Sequence, residues 1–357
     1  MNRFWTLLLL LPALILTNCR PSPDIRLPRE AEVQEIVYSP HGDALAIRYL
    51  SHESIVLELR SSPNAKANWT ADGLGGLSGN LVSFPTDGSI VAVAEKSDIR
   101  LFNASDGIEV NPIQLGETLY VLQLKFLEND SLALLVGRRG QNSTANLFLE
   151  IWDVDENQLS KPLLLTSGAH NAQWWRPFSL DGRSFGYRST PDEVGIINTL
   201  TLAEGSNDVT GLIKPEQSNS GYVSTLAMAP DGSELALGLT YITEDMDEQS
   251  RDSHPLILRI NTDTGETISS FLHPTDMKTN EVPAYLVYDP KQQHLAAGLL
   301  DASALFLYDL ETPNTPPRVL CQGANCCWRN PVFSPDGLKV WGLCRSTIHQ
   351  FEIQHMP

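Results

Sequence analysis

The sequence predicts an all-β ring of seven four-stranded units, and three observations carry that reading. One phrase recurs seven times, the recurrences are spaced as a four-stranded unit requires, and no long 3.6-residue apolar period competes with them after the first 19 residues. The phrase is an apolar residue, a tight polar turn and a short run of alternating small and apolar residues. It reads YSPHGDALAIRY from Tyr38, FPTDGSIVAVAE from Phe84, FLENDSLALLVG from Phe126, FSLDGRSFGYRS from Phe178, MAPDGSELALGL from Met228, YDPKQQHLAAGL from Tyr288 and FSPDGLKVWGLC from Phe333. Successive starts lie 46, 42, 52, 50, 60 and 45 residues apart. That is the period of one blade in a single β-propeller.

Each phrase encodes a hairpin. Proline presets φ at a turn's second position, Asp hydrogen-bonds the turn backbone, and Gly takes the position that needs φ > 0. A third apolar strand follows, as in Ile99–Phe102, Leu149–Asp153, Leu256–Ile260 and Ala304–Asp309, and another polar turn leads to a fourth. In the last unit the chain provides only three strands, ending at Ile353. The segment Asp24–Leu27, just ahead of the first inner strand at Val33–Tyr38, is the expected donor of the missing outer strand, so that the ring is closed by an N-terminal strand.

By these turns the chain resembles the WD-repeat propellers. Their SPDG turn stands intact at Ser334–Gly337 and nearly so at Ala229–Gly232, and the Trp-Asp pair survives at Trp152-Asp153. The family's Gly-His pair is essentially missing. The resemblance implies a rigid ring with loops on two faces, a platform for a protein or peptide partner.

The N-terminus reads as an export signal over residues 1–18. Arg3 supplies the positive charge, and Phe4–Leu16 form an apolar run too short to span a membrane and interrupted by Pro12. Leu16-Thr17-Asn18-Cys19 resembles the lipobox of bacterial lipoproteins, with Asn18 where that family prefers Gly, Ala or Ser. The resemblance implies lipidation of Cys19, a short tether over 19–23, a propeller over 24–357, and attachment to a bacterial membrane facing periplasm or exterior through that lipid only. Simple cleavage and secretion is the alternative.

The formal charge of −18, from 25 Lys+Arg against 43 Asp+Glu, argues against nucleic acid as a ligand. The other four cysteines, Cys321, Cys326, Cys327 and Cys344, all lie in the last sixth of the chain, and an exported protein favours disulfides. A hairpin register with Phe333 opposite Leu338 sets Cys327 opposite Cys344, β-carbons within about 5 Å. Cys321 would then pair with Cys326. A one-residue bulge would substitute Cys326 for Cys327, a vicinal Cys326–Cys327 bond is open, and a tetrathiolate zinc site fits adjacent cysteines poorly.

Motifs for catalysis are absent: no G-x-S-x-G elbow, phosphate loop, H-E-x-x-H or EF-hand occurs, so neither enzyme activity, cofactor nor metal is expected. Candidate partner contacts are Trp174, Trp175 and Arg176 on the fourth inner strand, and Glu244, Asp245, Asp247 and Glu248 in the loop that lengthens the fifth unit. The leading function is a monomeric, membrane-tethered binding platform in the cell envelope. The alternatives are a lactonase-like hydrolase with an axial metal site, or a spacer. Carboxylates or imidazoles from three or more blades converging at one axial mouth would favour the hydrolase.

Overall fold

A computed structural model describes residues 22–353 except positions 29, 62–64, 75–79, 96–97, 116–118, 140–144, 160–161, 168–174, 191–192, 200–208, 214–220, 244–251, 273–282, 300–303, 323–328 and 345–346. An edge strand, β1 (Ser22–Arg26), comes first. The first sheet is β2 (Glu32–Tyr38), β3 (Leu45–Ser51), β4 (Ser54–Arg60) and β5 (Ala67–Leu74), and the second is β6 (Val82–Ser83), β7 (Ile90–Ala94), β8 (Asp98–Asn103) and β9 (Glu109–Gln114). The third holds β10 (Leu119–Phe126), β11 (Leu132–Arg139) and β12 (Ala145–Asp153), with two short outer pieces, β13 (Gln158–Leu159) and β14 (Leu163–Ser167), both paired to β12.

Then come β15 (Ser184–Thr190), β16 (Glu193–Asn198) and β17 (Val209–Ile213) as one sheet. The next sheet is β18 (Gly221–Met228), β19 (Glu234–Thr243), β20 (Asp252–Asn261) and β21 (Thr267–Leu272). It is followed by β22 (Pro283–Tyr288), β23 (His294–Leu299), β24 (Ala304–Asp309) and β25 (Arg318–Gln322). The last sheet runs β26 (Arg329–Phe333), β27 (Lys339–Cys344), β28 (Thr347–Glu352), and its outer edge is β1. All of these pairings are antiparallel.

The sheets form a β-propeller, but the expected seven four-stranded blades need correction. Among the described residues six blades carry four strands or more, and the sheet β15–β16–β17 has only three. The cause is local. Where its inner strand belongs, Pro177 has no N–H to give, and Arg176 turns its backbone to the neighbouring blade: Arg176 N donates to Leu226 O at 2.8 Å and Met228 N to Arg176 O at 2.8 Å. Back toward β15 the segment makes one short antiparallel bridge, Phe178 with Phe185, in which Gly186 N donates to Pro177 O at 2.8 Å and Ser179 N to Ser184 O at 2.9 Å.

Turn chemistry follows the sequence closely. In the last hairpin Gly337 N donates to Ser334 O at 2.9 Å, and Ser334 Oγ donates to the Asp336 carboxylate while accepting Lys339 N at 3.0 Å. These turns also interlock around the ring. Gly42 abuts Pro335, Gly88 abuts Pro40, Gly182 abuts Leu127 and Gly337 abuts Asp289. At Gly232, where φ is +76°, a β-carbon would lie 2.4 Å from Ser184 Oγ, so glycine is required both by conformation and by space.

Middle strands carry unbroken apolar runs because neighbouring blades cover both of their faces. In β3, β7 and β11 consecutive side chains are buried, and the core clusters lie between blades rather than within them. One cluster joins the closing blade to the first: Ile25, Trp341, Leu343 and Ile348 meet Val33, Ile36, Ile47 and Tyr49.

β1 runs antiparallel to β28, with Ser22 opposite Gln350 and Arg26 opposite Thr347. It therefore enters from the end of the sheet that carries the β26–β27 turn. Ile25 is fully buried. Ile25→Ala is expected to cost ~2–5 kcal/mol in urea unfolding, by removing transfer energy and opening a cavity at the seam; a loss below about 0.5 kcal/mol would show that β1 does not hold the ring shut.

The predicted register of the last hairpin is also corrected. Phe333 pairs with Val340 and Val332 with Trp341, two residues beyond the expected partners, because the turn extends to Lys339. A bulge follows between Arg329 and Val332, and Arg329 pairs with Leu343. The alignment that set Cys327 opposite Cys344 is therefore not the one adopted. Cys326 and Cys327 lie outside the described residues, Cys344 ends β27, and Cys321 sits half-buried in β25.

Candidate functional site at the propeller axis

The inner strands share an irregularity that shapes the axis. β2, β10, β18 and β22 each shift register three to five residues before their last residue, between Val33 and Glu35, Val121 and Gln123, Val223 and Thr225, and Pro283 and Tyr285, and β26 shifts closer to its end, between Arg329 and Val332. Such bulges bend a strand and free backbone and side-chain groups from the ladder. Here those groups are spent on neighbouring blades.

A polar girdle results. Asn330 Nδ2 donates to Gln34 O at 2.8 Å, linking the closing blade to the first. The Glu35 carboxylate accepts Leu81 N at 2.8 Å, linking the first to the second. Asn80 Nδ2 donates to Gln123 Oε1 at 3.0 Å and to Trp175 O at 2.8 Å, and Gln123 Nε2 donates to the same carbonyl at 2.6 Å. Further round, Arg188 Nη1 donates to Val223 O at 2.7 Å and Ser224 Oγ to Pro283 O at 2.7 Å.

Charge is concentrated in this girdle. Glu35 and Arg48 are each about 1% exposed and lie 3.3 Å apart. Burial raises the Glu35 pKa against the opposing pull of Arg48, Arg176 and two backbone N–H groups. Burial likewise lowers Arg48 and Arg176, and Arg176 Nη2 has no hydrogen-bond partner among the described residues. Lys125 is pushed down to about 8 by burial, with Asp181 raising it and Arg176 lowering it further.

Two adjoining cavities surround these groups. An inner chamber of 220 Å³ is lined by Glu35, Asn80, Gln123, Lys125 and Arg176 among others. A funnel of 510 Å³ opens at the turn end of the axis, walled by Val37, Phe84, Phe126, Leu180, Val287 and Phe333 and rimmed by Pro40, Pro230, Pro290 and Pro335. Lys125 and Arg176 line both. The funnel is within the size range of ligand sites, mainly apolar with a few placed polar groups.

The sequence-derived candidates separate here. Arg176 stands at the axis. Trp175 is fully buried in the core between blades, with Phe185, Tyr187, Val223 and Leu226, which is a packing role. Trp174, Glu244, Asp245, Asp247, Glu248 and Cys19 lie outside the described residues. Sequence reasoning missed Glu35, Asn80, Gln123 and Lys125. Aligning the seven phrases would have raised two of the axial groups: at the place before the apolar residue stand Val37, Ser83, Pro177, Ala227, Val287 and Val332, but once Lys125. One place earlier stand Ile36, Val82, Leu124, Leu226, Leu286 and Pro331, but once Arg176.

No family model matches the chain, and no curated protein does. Solved structures do. A chain of Kuenenia stuttgartiensis hydrazine synthase superposes with TM-score 0.66 at 13% identity, over 92% of this chain and 97% of that one. The likeness is one of fold. The β-propeller domain of Myceliophteria thermophila Cps50 (Swd1) gives 0.61 at 12% identity over 91% and 100%, and the C-terminal WD40 domain of Sif2 gives 0.59 at 11% over 94% and 99%. This chain is thus a propeller resembling WD40 domains. Among the described residues no group of three or more His, Cys, Asp or Glu is placed to hold a metal ion.

Proposed function

We propose that this chain is an exported propeller, tethered to a bacterial membrane by a lipid on Cys19, that holds a protein or peptide partner in the cell envelope. The observation that carries the binding part is the axial funnel, an apolar mouth built by every unit of the ring and floored by charged groups. The address rests on the N-terminal sequence, in which residues 1–18 have the pattern of a signal peptide and Cys19 follows a lipobox-like triplet.

The two parts meet in the direction of β1. Its first residue, Ser22, stands at the turn end of the closing blade, the same end at which the funnel opens. Two residues, Arg20 and Pro21, separate Cys19 from Ser22, a reach of roughly 10 Å. A lipid on Cys19 would hold the funnel toward the membrane, and the partner would be one presented at that surface.

The test is cross-linking in intact native cells, then detergent extraction and mass spectrometry. One reproducible envelope protein is expected, with cross-links confined to the funnel rim. Cys19→Ser is expected to move the chain from the membrane fraction to the soluble fraction and to lose that partner. Membrane retention of the Cys19→Ser chain would refute the lipid tether, and cross-links spread over both faces would refute the funnel as the binding surface.

A further inference from the structure

We infer that the floor of the funnel is a carboxylate-binding site, in which Lys125 and the free Nη2 of Arg176 receive a single carboxylate of a peptide. The inference rests on the platform reading and names the chemical group that reading leaves open.

Four ionisable groups meet at the inner end of the axis: Glu35 and Arg48, both buried, and Arg176 and Lys125, both half-buried and lining the two cavities. Glu35 is already engaged, accepting Leu81 N at 2.8 Å, Val82 N at 3.3 Å and Arg48 Nε at 3.3 Å. Asp181, the other carboxylate beside Lys125, accepts Ser179 Oγ at 2.6 Å and Arg183 N at 2.9 Å. Glu128 at the rim is engaged by Arg183.

Counting both carboxylates, the set retains one excess positive charge, in a chain whose overall charge is −18. A half-buried cation whose Nη2 atom is itself buried and has no hydrogen-bond partner among the described residues is costly, and a bound monoanion relieves that cost. The cationic pair is also specific to this axis, since the equivalent places in the other units hold apolar or small residues. The surrounding wall admits apolar neighbours of the carboxylate, as a peptide supplies. A carboxylate can come from a chain terminus or from an Asp or Glu side chain, and the probes below distinguish them.

The experiment is competitive acetylation of the full-length protein at pH 8, reading Lys125 by mass spectrometry against the other lysines. The probes are acetyl-trialanine, its C-terminal amide, the amide of acetyl-Ala-Glu-Ala, and inorganic phosphate. Acetyl-trialanine at saturation is expected to slow Lys125 modification at least tenfold while leaving Lys291 and Lys339 unchanged, and its amide to have no effect. Protection by acetyl-Ala-Glu-Ala amide as well assigns the site to any carboxylate; protection by it alone assigns the site to an acidic side chain.

Equal protection by phosphate, or protection by none of the four, overturns the inference. Arg176→Gln should abolish protection, and Lys125→Arg should retain binding when read by fluorescence anisotropy of a labelled acetyl-trialanine analogue; loss in Lys125→Arg together with retention in Arg176→Gln also overturns it. Failure of the carboxylate site is separable from failure of the platform. If the envelope partner is still captured by Lys125→Met, the platform stands and the carboxylate site falls. If wild-type protein captures no partner while acetyl-trialanine protects Lys125, the site stands and the envelope role falls.

Discussion

Glu35→Ala is expected to lower stability by ~3–5 kcal/mol, the range for breaking a buried ion pair and stranding its partners. The side chain is 1% exposed and serves three donors in two blades: Arg48 Nε, and the backbone N–H groups of Leu81 and Val82. Its removal takes a carboxylate from Arg48 and the acceptor from the Leu81 and Val82 amides. Glu35→Gln keeps an acceptor for Leu81 N and should lose less. Adding Arg48→Met to Glu35→Ala should recover part of the loss, because the cation no longer lies buried beside nothing of opposite sign. Urea unfolding followed by tryptophan fluorescence checks this, and a Glu35→Ala loss under 1 kcal/mol would mean that the first and second blades are joined by apolar packing alone.

Lys125→Met should stabilise the protein at pH 7 and change how stability varies with pH. Burial depresses the folded-state pKa of Lys125 from 10.5 to about 8. Between those two values the unfolded chain binds the proton and the folded chain has released it, so the unfolded state carries more protons and wild-type stability rises with pH through that window. Below pH 8 both states are protonated and the cost of the buried ammonium is fully present. A shift of this size corresponds to at most about 3 kcal/mol, reduced by water entering from the funnel. The stability difference between Lys125→Met and wild type should therefore shrink from pH 8 to pH 10.5. Urea midpoints at pH 7, 8, 9 and 10 read it directly, and parallel curves for the two proteins would show that the lysine is fully hydrated.

The closing strand shows how much could be read locally. Counting three strands in the last unit, the first of them ending at Phe333, and finding Asp24–Leu27 unclaimed was enough to place β1 against β28, since an open sheet edge in a ring demands a partner. The hairpin turns were legible for a similar reason. Ser334, Asp336 and Gly337 satisfy their own backbone within six residues, and no distant group is needed.

The errors fall where long-range groups compete with local ones. The three-stranded sheet arises because Arg176 hydrogen-bonds sideways to β18, a choice that depends on a strand about 50 residues away. The hairpin register moved by two residues because its turn extends to Lys339, and the bulge beyond it holds Asn330, whose side chain donates to Gln34 O across the ring seam. Alternation along the strand sends one of Trp174 and Trp175 between blades, and that residue is Trp175, packed with Phe185 and Val223.

The sequence by itself determined the repeating hairpins, the all-β class, the strand that closes the ring and the acidic surface charge, because each follows from contacts within one unit or from composition. Tertiary structure alone decided the three-stranded sheet, the girdle of Glu35, Asn80 and Gln123, and the meeting of Lys125 with Arg176. Those depend on where a ring brings residues tens of positions apart to one axis, and on how much water is left there to solvate them.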